Sequence, residues 1–343
     1  MNNLCIRVNS TYESGMGHFM RCLALAQKWQ EMRGNVYFVV NNNEKIISKV
    51  IDENMKYIIY DEEIGTSDDA SFLCQNAEKY NASWIVIDGY MFNEDYFDII
   101  KKNNFKSLLF DDDGRLDYYK NDFILNQNLH ANPELYLSKK EDYSQLLLGN
   151  KFILLRNEFL KYIHYEKDIK TQANNILITL GGSDVNNYSL KVLKSLNNSN
   201  FDDLNIIIIL GANNIHENSI KQYLKESNLN GKILKNISNM ADIMKWADLA
   251  FSSGGTTVWE LAFMGVPSII GSVSNVEELL INGLNKHDLF ETVGSIENLE
   301  LDELTDSFNK IINNKNLRTK LSKKGKNFVD GCGSERIINL MEV

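Results

Sequence analysis

The sequence alternates, along most of its length, between two kinds of segment. Short runs rich in β-branched and aromatic residues, such as VYFVV at 36–40 and WIVID at 84–88, are separated by longer segments whose apolar residues recur at helical spacing. This alternation is typical of βαβ units, in which parallel strands are joined by crossover helices. Because the strand runs are apolar at almost every position, helices are expected on both faces of the sheet. The chain is therefore predicted to belong to the α/β class.

The alternation is interrupted once, between about residues 140 and 175, and then resumes. The second series begins with NILITLGG at 175–182, and the segment 301–343 has the pattern of closing helices. A chain of 343 residues is also about the length of two domains. We therefore predict two doubly wound, Rossmann-like domains that face a cleft, an N-terminal one over 1–165 and a C-terminal one over 166–343.

Charge and composition narrow the class of partner. The net charge of −10 disfavours broad electrostatic binding to nucleic acid or to an anionic membrane, which leaves a small molecule as the expected partner. No apolar stretch approaches the roughly 18 residues that a membrane span needs, and the first residues lack the pattern of a secretory signal. The four cysteines have no metal-site spacing and are typical of reduced thiols. We expect a cytoplasmic monomer without a bound metal or other cofactor.

The first apolar run is followed by SGMGHFMRCL at 14–23. Gly15 and Gly17 permit a tight turn, and the third glycine of the dinucleotide-binding fingerprint is absent. His18 falls in the first turn of the predicted helix, with Arg21 one turn further on the same face. The positive end of a helix disfavours an imidazolium ion, so His18 would stay neutral and could accept a proton from water. The alternative is a solvent-exposed histidine that only bonds the loop.

A second glycine-containing turn lies in SSGGTTVWELAFMGVPSII at 252–270. The backbone amides and hydroxyl groups of this turn are candidates for binding a diphosphate at the start of a helix; the residues concerned are Gly254, Gly255, Thr256 and Thr257. Glu260 would then lie on the same side of the helix and could accept hydrogen bonds from two ribose hydroxyls. The alternative is that Thr257 and Glu260 form a capping box, which needs no ligand.

Two further strand ends carry polar residues. LGGSD at 180–184 is either a nucleotide-binding turn that uses Gly181, Gly182 and Ser183, or a simple turn with Asp184 as a helix cap. The acidic run at 111–113 has the charge of a metal site, but no further cluster of carboxylates or histidines completes an oxygen-rich shell. A solvated acidic loop or a hydrogen-bonded cleft wall is therefore preferred for that run.

Seven of these segments together resemble a known family in content and in order. The segments are IRVNSTYESGMGHFMRCLALA, IVIDGYMFNEDYF, LFDDDGR, FILNQN, LLLGNKFILLRNEF, ITLGGSD and SSGGTTVWELAFMGVPSII. They resemble PseG/SpsG-type proteins, the UDP-2,4-diacetamido-2,4,6-trideoxy-β-L-altropyranose hydrolases of pseudaminic acid biosynthesis. The resemblance covers roughly residues 4–275. It implies a GT-B fold similar to that of the MurG glycosyltransferases, with UDP on the C-terminal domain and the sugar on the N-terminal one.

The resemblance also implies residue roles. His18 would activate the water that displaces UDP from the anomeric carbon with inversion. Thr256, Thr257 and Glu260 match the family's phosphate and ribose binders, and the other nucleotide-binding candidates are Gly181, Gly182, Ser183, Gly254 and Gly255. The sugar-side candidates are Gly17, Arg21, Asp88, Tyr90, Asp112, Asn126, Arg156 and Asn275.

The sequence departs from the family at several positions. Val276 stands where the family usually has glutamine, Asn9 and Asn126 stand where it often has aspartate, and Gly89 lies inside the Asp-x-Tyr motif. These departures affect the identity of the sugar rather than the fold. Three activities stay open from the sequence: a nucleotide-sugar hydrolase, a glycosyltransferase of the same fold, and a nucleotide-sugar-binding protein without catalysis.

Overall fold

The computed structural model describes residues 3–9, 16–32, 34–182, 184–199, 201–211, 214–235, 237 and 239–342. The chain divides into two compact units. Unit 1 comprises Met1–Asn157 together with Gly331–Val343, and unit 2 comprises Glu158–Asp330. Residues 331–343 were predicted to belong to the C-terminal domain. In the structure they group with unit 1. Each unit contains its own parallel sheet, as the alternating pattern predicted.

Unit 1 is built on a seven-stranded sheet whose strand order is β3-β2-β1-β4-β5-β6-β7. All paired strands run parallel. The strands are β1 Asn3–Val8, β2 Val36–Val40, β3 Lys56–Ile59, β4 Ala82–Asp88, β5 Lys106–Phe110, β6 Phe123–Asn126 and β7 Gln145–Leu148. The crossover helices are α1 Gly17–Met32, α2 Glu44–Asp52, α3 Ser67–Lys79 and α4 Glu94–Lys102, and short 3₁₀ turns lie at Pro133–Leu135 and Asn150–Phe152.

Strand β1 shows why both faces of this sheet are covered. Leu4, Ile6 and Val8 belong to the apolar cluster that includes the buried face of α1, whereas Cys5 belongs to the cluster on the side of α3 and α4. Successive strand residues point to opposite faces, so a strand that is apolar at every position must be buried on both. Arg7 lies on the same face as Cys5 and is fully buried, where it pairs with Asp69 at 2.9 Å.

Unit 2 is built on a six-stranded parallel sheet of order β10-β9-β8-β11-β12-β13. Its strands are β8 Asn175–Thr179, β9 Asn205–Ile209, β10 Asn230–Leu234, β11 Leu249–Ser253, β12 Ser268–Ser272 and β13 Glu291–Ser295. Its helices are α5 Asn157–Leu160, α6 Tyr188–Asn197, α7 Glu217–Glu226, α8 Met240–Trp246, α9 Thr257–Phe263, α10 Asn275–His287, α11 Leu301–Ile312 and α12 Lys315–Phe328. The first residue of α5 belongs to unit 1.

The last helix, α13 (Gly333–Met341), packs in unit 1. The indole nitrogen of Trp84 on β4 donates to the carbonyl oxygen of Met341 at 2.9 Å. Gly333 lies so close to the 150–152 turn that an added Cβ would stand 2.1 Å from the carbonyl oxygen of Ile153. Unit 1 is therefore completed by a segment distant in sequence. No helix in the described part of the chain is both long and apolar enough to cross a membrane.

Candidate active site

The sheet order of unit 1 reverses direction between β1 and β4, which are neighbours in the sheet but not in the sequence. Ligands of open parallel sheets bind at such a switch point, beyond the carboxyl ends of the strands. Parts of three predicted segments meet there: the first turn of α1, the Asp-Gly-Tyr segment that ends β4, and the acidic run after β5. The topology thus groups motifs that are dispersed along the chain.

Arg21 is the centre of this group. Its Nε and Nη2 atoms donate to the two carboxylate oxygens of Asp88 at 2.6 and 2.7 Å. Its Nη1 and Nη2 atoms donate to the two oxygens of Asp112 at 2.8 and 3.0 Å. Bidentate arginine–carboxylate pairs of this kind are among the strongest hydrogen-bonded contacts in proteins. Only 7% of the Arg21 side chain is exposed, so the arginine organises two carboxylates beneath the surface of the site.

Asp112 is held from several sides. Besides Arg21, the hydroxyl of Tyr90 donates to its Oδ2 at 3.1 Å and the amide of Asn128 donates to its Oδ1 at 2.8 Å. Burial alone would raise the pKa of Asp112, but Arg21 and Asn128 outweigh burial and hold it below its usual range. Asp112 is therefore ionised at neutral pH.

His18 lies beside this charged cluster without joining it. Its Nδ1 atom is 3.7 Å from Oδ1 of Asp88, beyond hydrogen-bonding distance, and both Asp88 oxygens are already bonded to Arg21. Nδ1 is buried and has no hydrogen-bond partner among the residues that the structure describes. The imidazole packs edge-on against Tyr90, with ring centroids 5.1 Å apart. With 13% of the side chain exposed, His18 is not the solvent-exposed histidine of the alternative interpretation.

The charge state of His18 follows from these contacts. Burial lowers its pKa below the usual 6.5, and Arg21 and Arg115 act in the same direction. Asp88 and Asp112 act in the opposite direction but do not compensate for burial. The imidazole is therefore neutral at pH 7, which is the form that can accept a proton from a water molecule.

Asp88 and Asn126, both expected on the sugar side, support the site from behind. Asp88 has no exposed surface, and Asn126 is equally buried. The amide nitrogen of Asn126 donates to the hydroxyl of Tyr136 at 2.9 Å, and its oxygen accepts from the backbone amide of Asn128 at 3.0 Å. Asn126 thus positions Asn128, which in turn contacts Asp112.

The acidic run after β5 divides into three roles. Asp111 accepts hydrogen bonds from the backbone amide of Gly114 at 2.6 Å and from the hydroxyls of Tyr119 and Tyr136 at 2.7 and 2.9 Å. It shapes the loop, whereas Asp112 faces Arg21 and Asp113 is exposed. This arrangement corresponds to the second of the two structures that the sequence favoured for residues 111–113, a hydrogen-bonded wall. Within the described residues, no group of three or more histidine, cysteine, aspartate or glutamate side chains is arranged to hold a metal ion.

Gly89 explains how Tyr90 reaches Asp112. Its φ is +147°, a conformation that residues with a Cβ rarely adopt, and an added Cβ would lie 2.5 Å from the Cβ of Asn9. The carbonyl oxygen of Gly89 accepts a hydrogen bond from Arg115 at 3.0 Å. Gly89, inside the Asp-x-Tyr motif, therefore packs directly against Asn9, the residue after β1, and a larger residue at position 89 would collide with it.

Sequence reasoning missed three residues of this site: Asn128, His130 and Arg115. The Nε2 atom of His130 is 2.7 Å from the carbonyl oxygen of Asp112, and its position after β6 made it resemble a surface residue in the sequence. Asn128 belongs to the quoted FILNQN segment and Arg115 to the quoted LFDDDGR segment, so the resemblance that indicated Asn126 and Asp112 covered both residues without assigning them a role.

The remaining sugar-side candidates have fewer described contacts. Gly17 begins α1, and an added Cβ there would meet no heavy atom of the described residues within 4 Å. Arg156 is partly buried just before α5. Gly15, Ser183 and the side chain of Asn275 lie outside the described residues.

In unit 2, the predicted nucleotide-binding turn follows β11, beside the second switch point, between β8 and β11. Thr256 is the N-cap of α9 and makes no side-chain cap hydrogen bond, and Thr257 is the first helical residue. A capping box needs Thr257 at the N-cap position, so the structure does not form the predicted Thr257–Glu260 box. Gly254 is buried, Gly255 and Glu260 are partly exposed, and Thr256 is exposed.

The turn after β8 has the helix-capping contacts of one of the alternatives proposed for LGGSD, and the nucleotide-binding alternative stays a prediction. An added Cβ on Gly181 or Gly182 would meet no heavy atom of the described residues within 4 Å. The N-cap residue of α6 is Asn187, but Asp184 accepts hydrogen bonds from the backbone amides of Tyr188 and Ser189 at 2.7 and 3.0 Å and so bonds the first helical amides, as a capping aspartate would. A ligand at this turn would face the glycines, since the first amides of α6 are occupied.

Comparison with known proteins agrees with this architecture. Residues 175–328 match the glycosyltransferase family 28 C-terminal domain. The protein MJ1062 of Methanocaldococcus jannaschii is 30% identical over 277 residues, which cover 78% of this chain and 55% of that protein. The spore coat polysaccharide biosynthesis protein SpsG of Bacillus subtilis is 23% identical over 346 residues, which cover 96% of this chain and 95% of that protein.

A third relative carries two activities in its name. The pseudaminic acid cytidylyltransferase and UDP-2,4-diacetamido-2,4,6-trideoxy-β-L-altropyranose hydrolase of Helicobacter pylori is 28% identical over 239 residues, which cover 68% of this chain and 41% of that protein. The chain thus spans about half the length of the M. jannaschii protein and less of the H. pylori one.

Two solved structures illustrate the fold. MurG of Acinetobacter baumannii superposes with a TM-score of 0.70 at 14% identity, covering 100% of this chain and 99% of that one. The UDP-GlcNAc 2-epimerase of Neisseria meningitidis, solved with UDP-GlcNAc bound, gives 0.66 at 13% identity and covers 100% of both chains. With the two parallel sheets, these likenesses show that the chain has a GT-B fold, and its curated relatives show that it is similar to PseG/SpsG-type proteins.

Proposed function

We propose that the protein is a nucleotide-sugar hydrolase that releases UDP from a UDP-linked 2,4-diacetamido-2,4,6-trideoxyhexose in nonulosonic acid and surface-glycan biosynthesis. The observation that carries the proposal is His18: a shielded, neutral imidazole that lies beside, but is not bonded to, a buried carboxylate, and whose Nδ1 has no hydrogen-bond partner within the described ranges. The name of the H. pylori relative includes this reaction, which supports the choice of substrate class.

In the proposed reaction, His18 takes a proton from water as the water oxygen attacks the anomeric carbon. The bond from that carbon to the UDP oxygen breaks, UDP leaves with the electron pair, and the configuration inverts. Asp88 and Asp112 lie close enough to stabilise the imidazolium that forms, since both already act to raise the pKa of His18. No covalent intermediate with the enzyme is needed.

The site residues divide into contact and support roles under this proposal. We assign sugar contacts to Gly17, Tyr90, Arg156 and Asn275. Arg21, Asp88, Asp112 and Asn126 act behind that layer by fixing the orientation of Tyr90 and the field around His18. In unit 2, the nucleotide would be bound through Gly181, Gly182, Ser183, Gly254, Gly255, Thr256, Thr257 and Glu260.

A glycosyltransferase is the second candidate function. The match of residues 175–328 to a glycosyltransferase domain favours it, because the same nucleotide-binding unit can present a donor sugar to an acceptor hydroxyl instead of water. The two activities differ in a single requirement, the presence of an acceptor.

The test is UDP release from a panel of UDP-sugars with no acceptor present, with the free sugar followed by NMR. We expect turnover by the wild-type protein and a loss of about 10²- to 10⁴-fold in kcat for His18→Asn, since that is the usual contribution of a general base. His164→Asn makes the same change at an exposed histidine and should leave kcat unchanged. Turnover only with an added acceptor would favour the glycosyltransferase, and full activity of His18→Asn would refute the assigned role.

A further inference from the structure

The turn proposed to hold the diphosphate is already in contact with a carboxylate of the chain itself. Oε2 of Glu277, in the first turn of α10, accepts hydrogen bonds from the backbone amide of Gly254 at 3.1 Å and from that of Val273 at 2.9 Å. The hydroxyl of Ser253 also donates to this carboxylate. Glu277 therefore ties the loop after β11 to the loop after β12.

The carboxylate lies directly beside the glycine turn. An added Cβ on Gly254 would be 3.0 Å from the Cβ of Glu277, so a side chain at this position would crowd Glu277. An added Cβ on Gly255 would be 3.9 Å from Oε1 of Glu277. A phosphate bound to the amides of this turn would consequently have the Glu277 carboxylate as a close neighbour.

No cation neutralises this carboxylate within the described residues: no lysine, arginine or histidine side chain forms an ion pair with Glu277. Its charge is stabilised by backbone amides and one hydroxyl instead. Burial raises the pKa of Glu277, and the two amides and the hydroxyl act against burial. A second negative charge placed nearby would be repelled through a partly buried medium, where screening by water is weak.

We propose, on the basis of the proposed function, that Glu277 selects against the free nucleoside diphosphate and so promotes product release. The two phosphates of a UDP-sugar carry one charge each, whereas in free UDP the β-phosphate is terminal and can lose a further proton near neutral pH. The carboxylate of Glu277 repels the product more strongly than the substrate for that reason. Its hydrogen bonds keep the turn in place while its charge sets this preference.

Isothermal titration calorimetry with UDP, UDP-N-acetylglucosamine and uridine tests the inference. Glu277→Gln keeps an oxygen that can accept from Gly254 and Val273 but removes the charge. We expect it to tighten UDP binding about tenfold and UDP-N-acetylglucosamine binding about threefold, with uridine unchanged. Glu278→Gln, which removes an exposed charge from the adjacent residue of α10, should leave all three affinities as in the wild type.

Two further outcomes separate this inference from the proposed function. If the wild-type protein binds UDP and Glu277→Gln changes the three affinities equally or not at all, the charge of Glu277 has no selective role and the inference is wrong. If the wild-type protein binds neither UDP nor uridine, the proposed function fails and the inference fails with it. Glu277→Ala removes both the charge and the hydrogen bonds that join the two loops, and it should weaken binding of all three compounds. Comparison with Glu277→Gln, which removes only the charge, separates the two effects.

Discussion

At the scale of single residues, the charge state of His18 follows first from burial and then from its separation from Asp88. Arg21 bonds both oxygens of Asp88, and Nδ1 of His18 lies 3.7 Å from that carboxylate with no hydrogen-bond partner among the described residues. For the wild-type protein, we expect kcat/KM to be constant at neutral pH and to fall only below pH 6.5, because the pKa of His18 is lowered and only the neutral form is a base.

In Arg21→Lys, the fall of kcat/KM on the acid side of the pH profile, its acid limb, should begin at a higher pH. A lysine keeps the positive charge but cannot bond two carboxylates from one planar group, so Asp88 becomes available to His18 and raises the pKa of the imidazole. The measurement is kcat/KM against pH, with an NMR titration of His18 as a direct check on the same variant. A lower rate with an unmoved acid limb would mean that Arg21 only supports the structure.

A second prediction at this scale concerns the contribution of Asp112 to stability. Its folded-state pKa is lowered, so its contribution to stability is fully present above the unfolded-state pKa of about 3.9 and is lost as pH falls through the folded value. Asp112→Asn should lower the free energy of unfolding by about 2–4 kcal/mol at neutral pH, because Arg21 loses a buried partner. In urea denaturation, the gap to the wild type should narrow as pH falls below about 4.

The neighbouring Asp113 provides the control for this substitution. Burial and Asp111 raise the pKa of Asp113, so its charge is unfavourable in the folded state, opposite to that of Asp112. Asp113→Asn should leave stability unchanged or slightly increased at neutral pH. A loss of stability of similar size in both variants would show that the Arg21 contact is not the cause.

At the scale of elements, the link between β4 and α4 depends on Gly89. Gly89→Ala places a methyl group 2.5 Å from the Cβ of Asn9 on a backbone with φ of +147°. We expect a loss of about 2–4 kcal/mol in the free energy of unfolding, measured with urea, because strain and overpacking act together. Gly17→Ala is the matched control, since its added methyl meets no atom within 4 Å, and it should not lower stability.

Much of the fold could be predicted at this scale from sequence, and the site only in part. The apolar runs at β1 and β4 predicted buried parallel strands, and the family resemblance then implied Asp88 and Asp112 as site residues. Strand β7, helix α10 and strand β13 were not predicted. The partners within the site depend on which strands are neighbours: Arg21 meets Asp112 across 91 residues and Glu277 meets Gly254 across 23. Local patterns carry no information on contacts of that range.

At the scale of the whole molecule, unit 1 is discontinuous in sequence and is completed by α13. Ile337, Ile338 and Met341 of α13 belong to the same buried cluster as the apolar face of α1, the helix that begins beside His18. Residues 331–343 are therefore part of the core that supports the candidate site, although they follow all of unit 2 in the sequence.

Two alanine substitutions on this helix test that view. Ile337 has no exposed surface, so Ile337→Ala should cost about 2–4 kcal/mol through lost burial and a residual cavity. Leu340 is 36% exposed on the same helix, and Leu340→Ala should cost well under about 1 kcal/mol. Hydrogen exchange followed by mass spectrometry locates the effect: Ile337→Ala should weaken protection in β1, β4 and α1 and leave the strands of unit 2 protected as in the wild type. Weaker protection confined to α13 would mean that the helix is an appendage, and that unit 1 is complete without it.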